Sequence, residues 1–185
     1  MLTALALISG VLVLTALKAR FLSFAAQTPD DYKDTAPAFE IDRALSGPLA
    51  CEGIIFGPTG LAVSRFVARM DGRWDAEGGT LAEHFTYDSG RQQRREWRIR
   101  RLPDNRITAT ADDIIGTAKG QISGATLSLS YRLRLPKEAG GHVLDVIDWL
   151  YLMPDGTLMN RSRMHRFGLP LAELVATMRP IPANA

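Results

Sequence analysis

The chain has a single cysteine, Cys51, in 185 residues, and its only histidines are His84, His142 and His165. A lone thiol closes no internal disulfide and builds no thiolate metal site by itself. A disulfide-stapled scaffold and a Cys-based metal centre are therefore excluded, and Cys51 reads as a core residue. The histidines lie far apart without metal-ligand spacing, and no Ser, His and acid combination stands out. Neither a metal nor a cofactor is expected. An excess of one charge is missing as well: 22 basic against 20 acidic side chains leave a formal net charge of +2. That balance does not call for a nucleic-acid partner, and the basic residues matter by where they sit.

Charge is absent altogether from residues 1–17, where Leu, Ala, Val and Ile dominate. This run has the length of a short membrane-spanning helix, which Phe21, Leu22 and Phe24 extend past Lys18 and Arg20. A cleavable signal peptide fits less well. No basic region precedes the apolar run, and both charges come before the small-residue site Ser23-Phe24-Ala25. The reading is an N-terminal anchor helix over 1–24, a linker over 25–38 interrupted by Pro29 and Pro37, and a folded domain over 39–185. The positive charges after the helix place that domain on the cytoplasmic side.

Turn clusters punctuate the domain about every dozen residues: Gly57-Pro58-Thr59-Gly60, Asp71-Gly72, Gly78-Gly79, Asp88-Ser89-Gly90, Pro103-Asp104-Asn105, Ser123-Gly124, residues 136–141 and Pro154-Asp155-Gly156. Between them lie segments of period two. In residues 126–135, Leu127, Leu129, Tyr131, Leu133 and Leu135 share one face, and Thr126, Ser128, Ser130, Arg132 and Arg134 the other. A long meander leaves raw edges unless it closes, so an all-β, up-and-down antiparallel barrel of the lipocalin kind is expected, with a two-sheet sandwich as the alternative. Gly72-Arg73-Trp74 is assigned to a turn. The longest hairpin spans 141–163, where Pro154-Asp155-Gly156 suits a turn with a left-handed glycine.

The series Leu81-x-Glu83-x-Phe85-x-Tyr87, Arg95-x-Trp97, Asp112-Asp113-Ile114-Ile115-Gly116, Asp148-Trp149-Leu150-Tyr151 and Asn160-Arg161-Ser162 resembles the bacterial family known as domain of unknown function 3833, over roughly residues 39–178. Many relatives look like lipoproteins, which implies a periplasmic domain. In this chain no cysteine precedes Cys51, so the apolar helix takes the place of a lipid anchor in the bacterial inner membrane. Relatives are often encoded beside enzymes that modify phospholipid acyl chains, which implies a lipid context.

Chemistry belongs where polar groups enter an apolar interior. Each face of residues 143–152 carries one carboxylate, Asp145 with Ile147, Trp149 and Tyr151, and Asp148 with Leu144, Val146, Leu150 and Leu152. Whichever face turns inward buries an acid that needs a partner, and Arg161 across the turn is a candidate. Glu83 sits likewise among Leu81, Phe85 and Tyr87, with Arg65 or Arg95 to satisfy it. Asp112 and Asp113 point to opposite faces and cannot easily act on one atom. The candidate ligand-binding groups are Arg65, Glu83, Arg95, Trp97, Asp112, Tyr131, Asp148, Trp149, Tyr151, Asn160 and Arg161. The competing explanation is a buried ion-pair network that holds register. Arg91, Arg94, Arg95, Arg98, Arg100, Arg101 and Arg106 form the densest basic cluster, suited either to anionic lipid or to guarding a strand edge. The functional expectation is a membrane-anchored barrel that binds a lipid or acyl chain, with membrane lipid as partner. The alternatives are an accessory subunit of a lipid-modifying enzyme, and an enzyme using Glu83, Asp148 or Tyr131 as acid or base.

Overall fold

Alternation of apolar and polar side chains settles which way each segment faces. In the computed structural model, which describes residues 9, 10, 13, 14, 17 and 22–182, this alternation becomes ten strands. They are β1 (Gly47–Phe56), β2 (Ala62–Trp74), β3 (Gly78–Tyr87), β4 (Gln92–Arg101), β5 (Arg106–Thr110), β6 (Ile114–Ser123), β7 (Thr126–Arg134), β8 (Val143–Leu152), β9 (Leu158–Arg166) and β10 (Leu169–Pro180). Each pairs antiparallel with its neighbours in sequence, and β1 returns to β10, so the sheet is a closed barrel and not a sandwich. Closure uses a long register running from Leu49 opposite Pro180 to Phe56 opposite Glu173, so neither β1 nor β10 is left as an edge strand.

The two ends of the barrel differ. At the end where β1 begins, Leu49, Leu127 and Leu158 are fully buried, each side chain contributing about 1.5–3 kcal/mol by burial. A short helix α1 (Ile41–Ala44) and the following Leu45 plug this end, and Phe39, Ile41 and Leu45 are buried with the barrel core. The plug is held by the Trp74 indole, whose Nε1 donates to the Leu45 carbonyl at 2.9 Å.

That contact explains a correction. Asp71-Gly72 and Gly78-Gly79 read as turns, yet Gly72 lies inside β2 and both Gly78 and Gly79 open β3. Close approach of backbone, not chain reversal, calls for glycine here. A Cβ on Gly72 would lie 1.7 Å from the Leu45 carbonyl oxygen, and one on Gly78 would lie 2.0 Å from that of Ile99.

Residues 24–38 run along the outer wall as a strap containing two 3-10 turns, Phe24–Ala26 and Pro29–Tyr32. The Tyr32 ring packs 5.2 Å from Trp149 and 5.7 Å from Tyr151, and the Tyr32 and Tyr151 hydroxyls both donate to Gln27 Oε1. Phe24 is buried beneath the guanidinium groups of Arg161 and Arg163. The anchor helix expected over 1–24 falls mostly outside the described residues. Among the described residues no helix is long and apolar enough to cross a membrane.

Candidate functional site

Five strands send polar side chains into the lumen at mid-height, because residues two apart on a strand share a face and the inward face of each is otherwise apolar. From β3 and β4 come Glu83 and Arg95, which are register partners, and their side chains approach to 3.7 Å between Glu83 Oε2 and Arg95 Nη1. Asp113, in the connection before β6, turns inward and receives Arg95 Nε at 2.9 Å and Nη2 at 2.7 Å, a forked ion pair. On the opposite wall Asp148 accepts hydrogen bonds from the Ser162 hydroxyl at 2.7 Å, the Tyr131 hydroxyl at 3.3 Å and the Asn160 amide. The Asn160 amide also donates to the Trp149 carbonyl at 3.0 Å. The Trp97 ring stands edge-on to Tyr131, with centroids 5.3 Å apart, and bridges the two walls.

Glu83 and Asp113 thus share one guanidinium with Asp148 in its field, and the ionisation of Glu83 and Asp148 reflects the crowding. Burial pushes Glu83 up to about 7 against the pull of Arg95, and the neighbouring charges of Asp148 and Asp113 push the same way. Burial also raises Asp148, opposed by its donors Ser162, Asn160 and Tyr131. Burial opposes the charge on Arg95, yet Glu83 first, then Tyr131 and Asp113, hold it above the usual arginine value. Cys51 is pushed up to about 12, chiefly by burial, and stays a thiol. Two buried oxygens of the cluster, Glu83 Oε2 and Asp113 Oδ1, have no hydrogen-bond partner.

The cluster forms the polar lining of a cavity of about 210 Å³. Its wall is apolar and aromatic, with Phe66, Phe85, Tyr87, Leu129, Met164 and Leu174 prominent, and Phe66 meets Phe85 edge-on at 5.4 Å. The cavity reaches Arg91, Arg134, Pro136 and Ala139, which belong to the end of the barrel opposite the plug. Arg91, Gln93, Arg95, Asp113, Arg134 and Pro136 also line a groove outside the barrel, so the Arg95–Asp113 pair is a partition between lumen and surface. The sheet opens there because β5 pairs with β4 only from Arg98 to Arg101, which leaves the upper half of β4 paired with β3 alone.

The structure brings together Glu83, Arg95, Trp97, Tyr131, Asp148 and Asn160 of the sequence candidates, and separates the rest. Arg65 is exposed and pairs with Asp88 at 3.3 Å. Asp112 is also outside, with Arg98 at 3.2 Å. Trp149 and Tyr151 point away from the lumen and are covered by the strap, since Asp148 occupies the inward face of β8. Arg161 is not the partner of Asp148: it faces outward with Arg163, and both hold Glu173 at 2.8 Å. Three neutral donors take its place, a cheaper way to seat a carboxylate than a second buried charge. Asp113 and Ser162 belong to the cluster although neither is among the sequence candidates. Ser162 is within reach of parity alone, since it stands two residues from Asn160 and opposite Asp148 in register. Asp113 is not, because a connection lacks strand alternation.

The arginine cluster divides in the same way. Arg94, Arg98 and Arg100 project outward from β4, Arg95 projects inward, and Arg101 pairs with Asp42 of α1 at 2.8 Å.

Comparison with known proteins gives family and fold. Residues 19–180 match the model of a family described as protein of unknown function (DUF3833). No curated protein matches the sequence. The S-type phycobiliprotein lyase of Guillardia theta is similar in structure at 7% identity and TM-score 0.56, over 76% of this chain and 90% of that one. A Nostoc punctiforme protein of unknown function from the DUF3598 family is similar at 10% identity and TM-score 0.55, over 80% of this chain. This chain spans about half of that protein, 51%. At such identities the likeness concerns the barrel fold alone.

Proposed function

The chain belongs to the DUF3833 family of proteins of unknown function, and from that premise we propose that it is a binding protein which draws the end of a lipid-like ligand out of a membrane into its barrel. The observation that carries this reading is the apolar cavity that runs from the plug to the open end and holds at mid-height a buried carboxylate oxygen, Glu83 Oε2, that accepts no hydrogen bond. A cluster that served only to hold register would close on itself. Volume limits what enters: a cavity near 150 Å³ holds about one benzene ring, so 210 Å³ takes one ring or a short length of chain and leaves the remainder of a lipid outside. Membrane contact is supported at the same end. Leu61 and Val63 beside the β1–β2 turn, and Phe167 and Leu169 at the β9–β10 turn, are large apolar side chains 64–87% exposed, and the Arg166 guanidinium lies 5.0 Å from the Phe167 ring centroid. Apolar tips flanked by cations suit an anionic bilayer surface.

Protein isolated from its host should carry a stoichiometric amphiphile, detected by native mass spectrometry and organic extraction, and should bind the neutral probe N-phenyl-1-naphthylamine saturably. Leu174→Trp, which fills the cavity from β10, should lower probe affinity at least ten-fold without unfolding the barrel. Neither a co-purifying amphiphile nor saturable probe binding would sink the proposal. The membrane half is tested separately. Phe167→Glu with Leu169→Glu should slow uptake of the probe from phosphatidylglycerol vesicles at least five-fold and leave binding from solution unchanged. Equal uptake by both proteins would remove the membrane from the reading.

A further inference from the structure

We propose that the buried end of the ligand is a hydrogen-bond donor, an ammonium or a hydroxyl, and that the cavity rejects a carboxylate entering head first. The proposal rests on the binding role above and adds the chemistry of the ligand. Two acceptor atoms facing the cavity receive no hydrogen bond: Glu83 Oε2, whose contact is the 3.7 Å ion pair with Arg95, and Asp113 Oδ1. The Glu83 side chain is more than nine-tenths buried, with 8% relative exposure, so bulk water does not satisfy it. A buried acceptor without a donor is costly, and a ligand supplying the donor recovers that cost on binding.

The donors already present cannot welcome an anion. Arg95 is the cation among the cluster residues, and two of its nitrogens are committed to Asp113 Oδ2 while the third faces Glu83. Tyr131, Ser162 and the Asn160 amide are directed at Asp148. A ligand carboxylate would bring a further negative group into a site where Glu83 and Asp113 already share one guanidinium with Asp148 in its field, at low local dielectric. Charge at the rim has the opposite sign: Arg91, beside the Tyr87 ring at 4.2 Å, and Arg134 are exposed where the cavity ends. The field along the cavity therefore orients a dipolar chain, with its donor end on Glu83 and any anionic group left at Arg91 and Arg134.

Three probes of equal chain length separate the possibilities. Hexylamine, hexan-1-ol and hexanoate are titrated into the full-length protein at pH 8 and followed by amide chemical shifts of cavity residues. The amine is expected to bind at least ten-fold tighter than hexanoate, with the alcohol between. Glu83→Gln should reduce the ratio of amine to carboxylate affinity to three-fold or less, and Asp113→Asn should lower it in the same direction if the first variant does not fold. Hexanoate binding as tightly as hexylamine to the unaltered protein, with shifts in Phe85 and Tyr131, would overturn the inference and leave the binding role standing. No shift with any probe, together with no binding of N-phenyl-1-naphthylamine, would overturn the binding role itself.

Discussion

Replacing Arg95 by methionine is expected to cost about 3–5 kcal/mol of stability at pH 8, the loss typical of a buried ion pair deprived of one partner. The methionine fills much of the volume, so the effect isolates the charge. Glu83 and Asp113 lose their cation together, and Asp148 loses the favourable field that now moderates its burial. For a chain of this length the melting temperature should fall by roughly 6–20 °C. Two further measurements separate a missing charge from mere misfit. The deficit should shrink at pH 5, where Glu83 is protonated, and Glu83→Gln in the same background should recover part of it. A variant within about 1 kcal/mol of the parent at pH 8 would show that the cluster is already neutral and that Arg95 does not hold it together.

Stability should also fall as pH rises from about 4.5 to about 7, contrary to the usual behaviour of a folded protein on the acid side. The ordinary value for Glu83 is 4.5 and burial raises it to about 7 in the fold. Across that window the folded protein keeps a proton that the unfolded chain has released, so unfolding releases protons and raising the pH favours it. At about 1.4 kcal/mol per pH unit the loss is on the order of 3 kcal/mol, complete once the pH exceeds the folded value. Asp148, raised by burial, adds in the same direction. Below the window the sign reverses. Glu173, held down by Arg161 and Arg163 against its partial burial, and Asp42, held down by Arg101, lose favourable charge as they protonate. The stability maximum should therefore lie near pH 5. Chemical denaturation from pH 4 to 9 checks this, and Glu83→Gln should remove most of the slope and exceed the parent in stability at pH 8. A flat profile from pH 5 to 8, or an unchanged slope in Glu83→Gln, would contradict the assignment.

Both expectations concern groups whose presence is legible in the sequence and whose company is not. Inward-facing acids follow from parity: Glu83 lies on the Leu81, Phe85, Tyr87 face, and Asp148 on a face with Val146 and Leu150. Which of the two faces of β8 turns inward depends on what covers the other. The strap decides that, because Tyr32 packs on Trp149 and Tyr151 and makes an apolar outer wall acceptable. Nothing in the composition of residues 25–38, polar and broken by prolines, signals such docking.

By itself, then, the sequence determined the all-β character, the meander order and the hairpin around Gly156, because local turn chemistry and a two-residue period act within a few residues of chain. Closure of β1 on β10, the plug against Gly72, and the grouping of Glu83, Arg95, Asp113 and Asp148 about one cavity were decided only in the tertiary structure. These contacts join residues distant in the chain, and the free energy that brings them together is burial shared among all ten strands, which no local pattern records.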